Sequence, residues 1–249
     1  MKEVKDNFSS QAEKYAKYRP TYPKELYSFL LSLCNGKNSA WDCATGNGQV
    51  ASVLAQHFDK VYATDISEEQ IKNAGKKDNI FYSVQRSEST SFADNFFDLI
   101  TVAQAIHWFD FDTFYKEVKR TIKSNGIFSI VGYGLLKTGD KTDDIIDHFY
   151  RHIIGAYWDK ERKYIDENYT IIPFPFKEIE APELTIDLEW SLDELLGYFE
   201  TWSAVQHYIK ANAQDPVKLV KKDIQEIWPA GSKKKIQFPV LLRVAKITK

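Results

Sequence analysis

Two cysteines in 249 residues cannot build a disulfide framework, so a hydrophobic core has to hold the fold, and a reducing, cytoplasmic compartment is expected. No run of 18 apolar residues occurs, so no membrane-spanning helix is expected. The opening Met1-Lys2-Glu3-Val4-Lys5-Asp6 also lacks the apolar core of a signal peptide. An excess of one charge is missing as well. Lys and Arg number 33 against 35 Asp and Glu, a net charge of −2 that gives neither nucleic acid nor an anionic membrane a reason to bind. Internal repeats and low-complexity linkers are absent. What is present is an ordinary globular composition, 43% hydrophobic and 27% charged, at a length that suits one α/β domain with an elaboration.

Strand and helix signals alternate from residue 22 to about 132, which predicts a mostly parallel sheet with helices on both faces. A first helix carries Tyr22, Leu26, Phe29, Leu30 and Leu33 on one side, with Pro23 in its first turn. Ser67-Glu68-Glu69-Gln70 has the form of a capping box. Asp110 is placed to cap a helix striped by Phe111, Phe114, Val118 and Ile122, which Ser124-Asn125-Gly126 would end before a buried strand over residues 127–132. After residue 135 the alternation lapses. Residues 136–182 read as a cap insertion, with a helical stripe of Ile145, Ile146, Phe149, Ile153 and Tyr157 and then Pro173-Phe174-Pro175-Phe176. Within 183–249, Ser191-Leu192-Asp193-Glu194 is a second capping box, for a helix running to Ser203. Val217, Val220, Ile224 and Ile227 mark another helix, and Lys233-Lys234-Lys235 reads as a solvated turn. Ile236, Phe238, Val240, Leu242 and Val244 alternate as a final strand, although Pro239 is out of place in a central one unless at a bulge. The domain therefore divides into an N-terminal arm (1–24), a cofactor-binding half (25–135), the cap and the C-terminal part.

The densest signal is Ala40-Trp41-Asp42-Cys43-Ala44-Thr45-Gly46-Asn47-Gly48-Gln49-Val50-Ala51, where an acid ends an apolar run and glycines lead into an amphipathic helix. Such a turn lets a ligand lie against bare main chain. A second acid, Asp65, ends Val61-Tyr62-Ala63-Thr64 and is placed like the carboxylate that holds ribose hydroxyls. Together they predict a nucleoside cofactor. The glycines also fit a dinucleotide turn, but Asp42 would then face a pyrophosphate, and like charges about 4 Å apart cost on the order of 4 kcal/mol at an effective dielectric near 20. S-adenosylmethionine carries an ammonium and a sulfonium instead, so an acid facing it is favourable.

On these residues the chain resembles the class I S-adenosylmethionine-dependent methyltransferases. Their acid-x-Gly-x-Gly-x-Gly motif is matched by Asp42, Gly46 and Gly48, with Ala44 in place of the first glycine. Asp65-Ile66-Ser67 matches the second motif, and Ser87-Glu88 falls where the family contacts adenine. Ala103-Gln104-Ala105-Ile106-His107-Trp108-Phe109, with Tyr18-Arg19-Pro20-Thr21-Tyr22-Pro23, is similar to the type 11, trans-aconitate-like branch that methylates small molecules. The likeness covers residues 8–135. It implies a seven-stranded Rossmann-like sheet with an antiparallel last strand, and cofactor contacts from Arg19, Asp42, Ala44, Gly46, Gly48, Asp65, Ile66, Ser67, Gln70, Ser87, Glu88, Gln104 and Ala105.

His107 and Trp108 fall just past the fourth strand, at the ligand-binding edge of an open sheet, with His107 as a candidate base and Trp108, Tyr18 and Tyr22 as substrate contacts. Arg19, in an arm with Tyr15, Tyr18 and Tyr22, suits bidentate capture of a carboxylate and places the arm as a lid. The i, i+4 pair His148 and His152 reads as surface histidines rather than a metal site. Tyr150, Tyr157, Trp158, Tyr164, Tyr169, Phe174 and Phe176 are either a substrate pocket or the core of the cap. The alternatives to methyl transfer are an NAD-type Rossmann oxidoreductase and a cofactor-binding protein without catalysis.

Overall fold

A computed structural model describes residues 18–249. The first half runs α1 (Lys24–Leu33), β1 (Ser39–Cys43), α2 (Gln49–Leu54), β2 (Lys60–Asp65), α3 (Glu68–Lys72), β3 (Ile80–Val84), β4 (Phe97–Ala103), α4 (Phe111–Thr121) and β5 (Ile122–Tyr133). Then come α5 (Thr142–His148), α6 (Lys163–Asp166), β6 (Glu178–Ile179), β7 (Thr185–Ser191), α7 (Leu192–Glu200), α8 (Ser203–Asn212), α9 (Val217–Ile227) and β8 (Lys233–Ile247). The sheet order is β3-β2-β1-β4-β5-β8-β6, and β7 pairs with β8 as an eighth strand beyond the seven expected. β1 to β5 are parallel and β8 is antiparallel to β5. The chain leaves β1 toward β3 and returns to β4 on the other side of β1, so β1 and β4 form the switch point where open α/β sheets bind ligands.

Strand pleat sorts the core into two layers. Ala40, Leu99 and Ile127 pack with Leu26 and Leu30 of α1 and Val50 and Leu54 of α2, whereas Trp41, Ile100 and Phe128 pack with Phe114 and Val118 of α4. Both faces are therefore covered. A third core joins α5, α7, α8 and α9 to Ile186 and Trp190 of β7 and Ile236 and Phe238 of β8, centred on the fully buried Phe149, Phe199 and Trp202.

Several local expectations change. Pro23 stands at the cap position of α1 rather than inside its first turn. Asp110 caps α4 by accepting from the Thr113 N–H, but the helix ends at Thr121, and β5 begins at Ile122 with a register break before Ile127. The capping box at Ser191 is complete, yet its helix stops at Glu200, and a separate α8 starts after Trp202 with no side-chain cap. The three lysines open β8 itself, paired with β7. Pro239 sits where β8 changes partner, because residues up to Pro239 pair with β7 and residues from Val240 pair with β5. A residue without an N–H interrupts neither ladder there.

Gly132 of β5 marks how tightly the insertion docks on the sheet. A Cβ there would lie 2.6 Å from a Tyr169 ring carbon and 2.8 Å from Gln104 Oε1. Gly132→Ala should therefore lower stability by about 1–3 kcal/mol through overpacking, read as a shift of the urea midpoint at unchanged m-value. An unchanged midpoint would mean that Tyr169 is loosely held.

Candidate active site

Asp42, one residue before the end of β1, is almost fully buried. It accepts from Thr45 Oγ1 at 2.5 Å, the Ala51 N–H at 2.9 Å and Thr101 Oγ1 at 3.3 Å. The expectation that it faces the ligand changes accordingly, because the carboxylate lies beneath the turn and ties it to α2 and β4. Burial pushes its pKa up to about 6, even though these hydrogen bonds favour the charged form. Above it the backbone turns through three left-handed residues, Ala44 (φ 54), Gly46 (φ 56) and Gly48 (φ 81). A Cβ on Gly48 would strike the Tyr82 hydroxyl, so this glycine serves packing. A Cβ on Gly46 would meet nothing nearer than Gln70 Oε1 at 3.9 Å, which leaves that side of the main chain open to approach.

Asp65 ends β2 with each oxygen accepting one N–H, from Gly46 and from Ser67, both at 2.9 Å. Ser67 caps α3 by accepting from the Gln70 N–H. The reciprocal half of the expected box is replaced, since Asp65 takes the Ser67 N–H that Gln70 would have bound. Beside it Ile66 is 40% exposed, a large apolar side chain at the carboxyl edge of the sheet. Beyond β3, Ser87 is buried against the Cys43 thiol, and Glu88 accepts from the Asp110 N–H at 3.3 Å with Arg86 at 3.6 Å. Burial, with the negative field of Asp42, Glu88 and Asp65, drives the Cys43 thiol well above its usual range, which makes it a poor nucleophile. Three carboxylates around one strand end suit a cationic cofactor with hydroxyls and repel a pyrophosphate. An open main-chain approach, an acceptor-only Asp65 and a waiting apolar Ile66 thus fit an S-adenosyl group.

The end of β4 makes the second wall. Gln104 is left-handed (φ 55), and its N–H donates to the Val131 carbonyl at 2.8 Å. Its side-chain amide accepts from the Tyr133 N–H at 3.0 Å and donates to the Tyr133 carbonyl at 3.2 Å, extending the ladder to β5. The amide expected on the cofactor is thus engaged with β5. Ala105 then leads into a 3-10 turn over Ile106–Trp108. His107 is 4% exposed, with Nδ1 3.4 Å from the Tyr169 hydroxyl. A cavity that opens to solvent lies between Gln104, His107 and Trp108 on one side and Trp158, Asp159 and Arg162 on the other, with Arg19 and Ser203 also lining it.

Arg19 is docked rather than solvated. Its Nη1 donates to the Tyr133 hydroxyl at 2.9 Å and its Nη2 to the Thr201 carbonyl at 3.2 Å, so part of the fork expected on a ligand carboxylate is bound within the protein. Tyr18 lies over Gly197 of α7, where a Cβ would be 2.6 Å from its ring, and the Tyr22 ring is 6.0 Å from that of Tyr133. Tyr15 and the remainder of the arm lie outside the described residues. His148 and His152 are exposed, and no cluster of metal-ligating side chains occurs among the described residues.

Comparison with known proteins bears on this geometry. The model of a methyltransferase domain matches residues 41–130. A methyltransferase of Dictyostelium discoideum is 36% identical over 97% of this chain and 95% of its own. A solved methyltransferase structure from Anaeromyxobacter dehalogenans is 33% identical, covers 93% of this chain and 99% of its own, and superposes with a TM-score of 0.86. An S-adenosylmethionine-dependent methyltransferase of Saccharomyces cerevisiae is 23% identical over 65% of this chain and 58% of its own. The chain belongs to the class I S-adenosylmethionine-dependent methyltransferases. The dinucleotide reading falls away, and S-adenosylmethionine is the cofactor.

In this methyltransferase Arg162 and Asp159 line the cavity without having been singled out in the sequence, where they sit in the charged run Asp159-Lys160-Glu161-Arg162-Lys163. The one legible signal was Trp158 beside it. Of the aromatic group, Trp158 reaches the cavity, whereas Phe174 and Phe176 pack against Phe128 and Tyr115.

Two outcomes follow for the turn. The native state holds the Asp42 proton more tightly than the unfolded chain does, so stability conferred by that proton is lost as the pH rises from about 4 to about 6. Asp42→Asn removes the titration and should gain on the wild type by up to about 3 kcal/mol across that window, then hold level above it. Urea unfolding at a series of pH values checks this, and a pH-independent difference would contradict it. Ala44→Gly should stabilise by about 1 kcal/mol, because alanine resists the left-handed conformation, and a lower melting temperature would refute the strain.

Proposed function

We propose that this methyltransferase acts on a small-molecule acceptor, a carboxylate by preference, held in the cavity between the end of β4 and the insertion. The observation that carries the reading is the cavity's position and lining, one strand from the glycine turn, with Arg19 and Arg162 as cations and Trp108 and Trp158 as flat apolar walls. Bound at the turn, S-adenosylmethionine supplies a methyl group made electrophilic by its positive sulfur. Asp65 would accept from the ribose hydroxyls, with Ser67 and Gln70 setting its surroundings, and Ile66, Ser87 and Glu88 would flank the adenine. The main chain at Ala44, Gly46 and Gly48 and at Gln104 and Ala105 borders the methionine part, and Asp42 acts from below by fixing the turn. Arg19, held by Tyr133 and Thr201, borders the pocket, with Tyr18 and Tyr22 near it in the chain.

The protein's contribution is then positioning and exclusion of water. A carboxylate acceptor is already anionic and needs no base. A hydroxyl or amine acceptor would give its proton to His107, whose burial beside Tyr169 keeps it oriented. Residues 25–135 form the cofactor half and 136–182 the cap of one domain. Its near-neutral charge and lack of a disulfide suit a small acceptor rather than nucleic acid, in a reducing compartment such as the cytoplasm.

S-adenosylhomocysteine should raise the melting temperature and NAD should not. Asp65→Ala should weaken S-adenosylhomocysteine binding by about 1.5–3 kcal/mol in a calorimetric titration. Equal affinity would remove Asp65 from the site. His107→Asn separates the acceptor classes: a carboxylate substrate should tolerate it with modest loss, while a hydroxyl substrate should lose roughly 10²–10⁴-fold in turnover.

A further inference from the structure

One side chain at the cavity has donors that no described residue accepts from. Arg162 closes the 3-10 turn Lys160–Arg162 and is fixed through one edge and one face. Its Nε donates to the Tyr150 hydroxyl at 2.5 Å and lies 3.5 Å from Asp166 Oδ1. Its guanidinium stands 4.5 Å from the centre of the Trp158 ring and 5.1 Å from that of Tyr150. These contacts hold the group rigidly but engage only Nε and the guanidinium plane. The two terminal nitrogens, with four N–H donors between them, make no hydrogen bond to a described residue, although the side chain is only 15% exposed. Arg162 borders the same cavity as His107 and Trp108. A permanently charged donor pair, rigid and largely withdrawn from bulk water, is matched by a planar anion.

The neighbouring charges leave room for one. Arg19 is a second cation with two of its donors already on Tyr133 and Thr201. Among the described lining residues Asp159 is the one carboxylate, and it lies 3.9 Å from His207 Nδ1. Two guanidinium groups thus face one carboxylate among the described lining residues, with Asp166 set on the Nε edge of Arg162 rather than at its terminal nitrogens.

We propose that Arg162 is the specificity-determining residue of the acceptor pocket and binds a carboxylate of the acceptor bidentately through its terminal nitrogens. This rests on the cavity being the acceptor pocket, and it narrows the substrate class. A carboxylate clamped by a guanidinium has its charge and lone pairs engaged and is a poor nucleophile. The atom that takes the methyl group therefore belongs to a second function, on the β4 side of the cavity near His107. The acceptor is a small bifunctional acid, with an anionic anchor at one end and a nucleophile, a second carboxylate included, at the other. Trp108 and Trp158 border the body between them.

The test is calorimetric titration of the protein loaded with S-adenosylhomocysteine, using succinate, glutarate and phenylacetate, the matching amides and inorganic phosphate. Wild type, Arg162→Gln and Arg162→Lys are compared. At least one acid should bind at millimolar concentration, at least 10-fold tighter than its amide. Arg162→Gln should weaken that acid roughly 10- to 100-fold, and Arg162→Lys less, since an ammonium keeps the charge but loses the fork. The inference is overturned if acids and amides bind alike, if phosphate is bound in preference, if no acid binds, or if Arg162→Gln binds acids as well as wild type does. Should the Gln variant not fold, the Lys variant and the acid–amide contrast in the wild type decide. Failure of S-adenosylhomocysteine to bind would instead count against the cofactor site. Retained S-adenosylhomocysteine binding with indifference to acids counts only against Arg162.

Discussion

Asp42 holds together the three pieces from which the proposed cofactor site is made. One carboxylate at the end of β1 binds the turn through Thr45, the start of α2 through the Ala51 N–H, and the neighbouring β4 through Thr101. With those ends joined, the chain between residues 43 and 49 has few ways to close. It does so through left-handed backbone at Ala44, Gly46 and Gly48. The raised pKa of Asp42 says that burial outweighs the hydrogen bonds it makes, so the arrangement is a net electrostatic cost in the cofactor-free protein.

The other wall repeats the pattern with different chemistry. Gln104 also takes left-handed backbone at a strand end, and its amide extends the β4–β5 ladder where the main chain has turned away. That turn aims Ile106–Trp108 at the insertion, where Tyr169 and the Trp158–Arg162 segment meet it. The end of β4 and the segment around Trp158–Arg162 thus meet at the cavity itself. Substitutions in the insertion, far from the glycine turn in sequence, can alter the pocket directly.

The parts legible in the sequence are those set by local spacing. Gly46, Gly48 and Asp65, the caps at Asp110 and Ser191, and the alternation of the last strand all follow from periods of two or three to four residues. What was not legible depends on partners distant in the chain. β1 is buried on both faces, so its pattern carries no sign of which way Asp42 points. Pro239 became acceptable only because β8 exchanges β7 for β5 at that residue. Arg162 sits in a charged run that gave no sign of a role, and only the fold brings Tyr150, Asp166 and Trp158 around it.

The central claim is that a buried carboxylate shapes a turn which receives the cofactor on its open side. A crystal structure of the protein with S-adenosylhomocysteine tests it most directly. The account predicts the ligand over Gly46, its ribose hydroxyls on Asp65, and Asp42 still beneath the turn on Thr45 and the Ala51 N–H. A structure in which Asp42 has left those partners to touch the ligand, or in which the ligand lies away from Gly46 and Asp65, would contradict it.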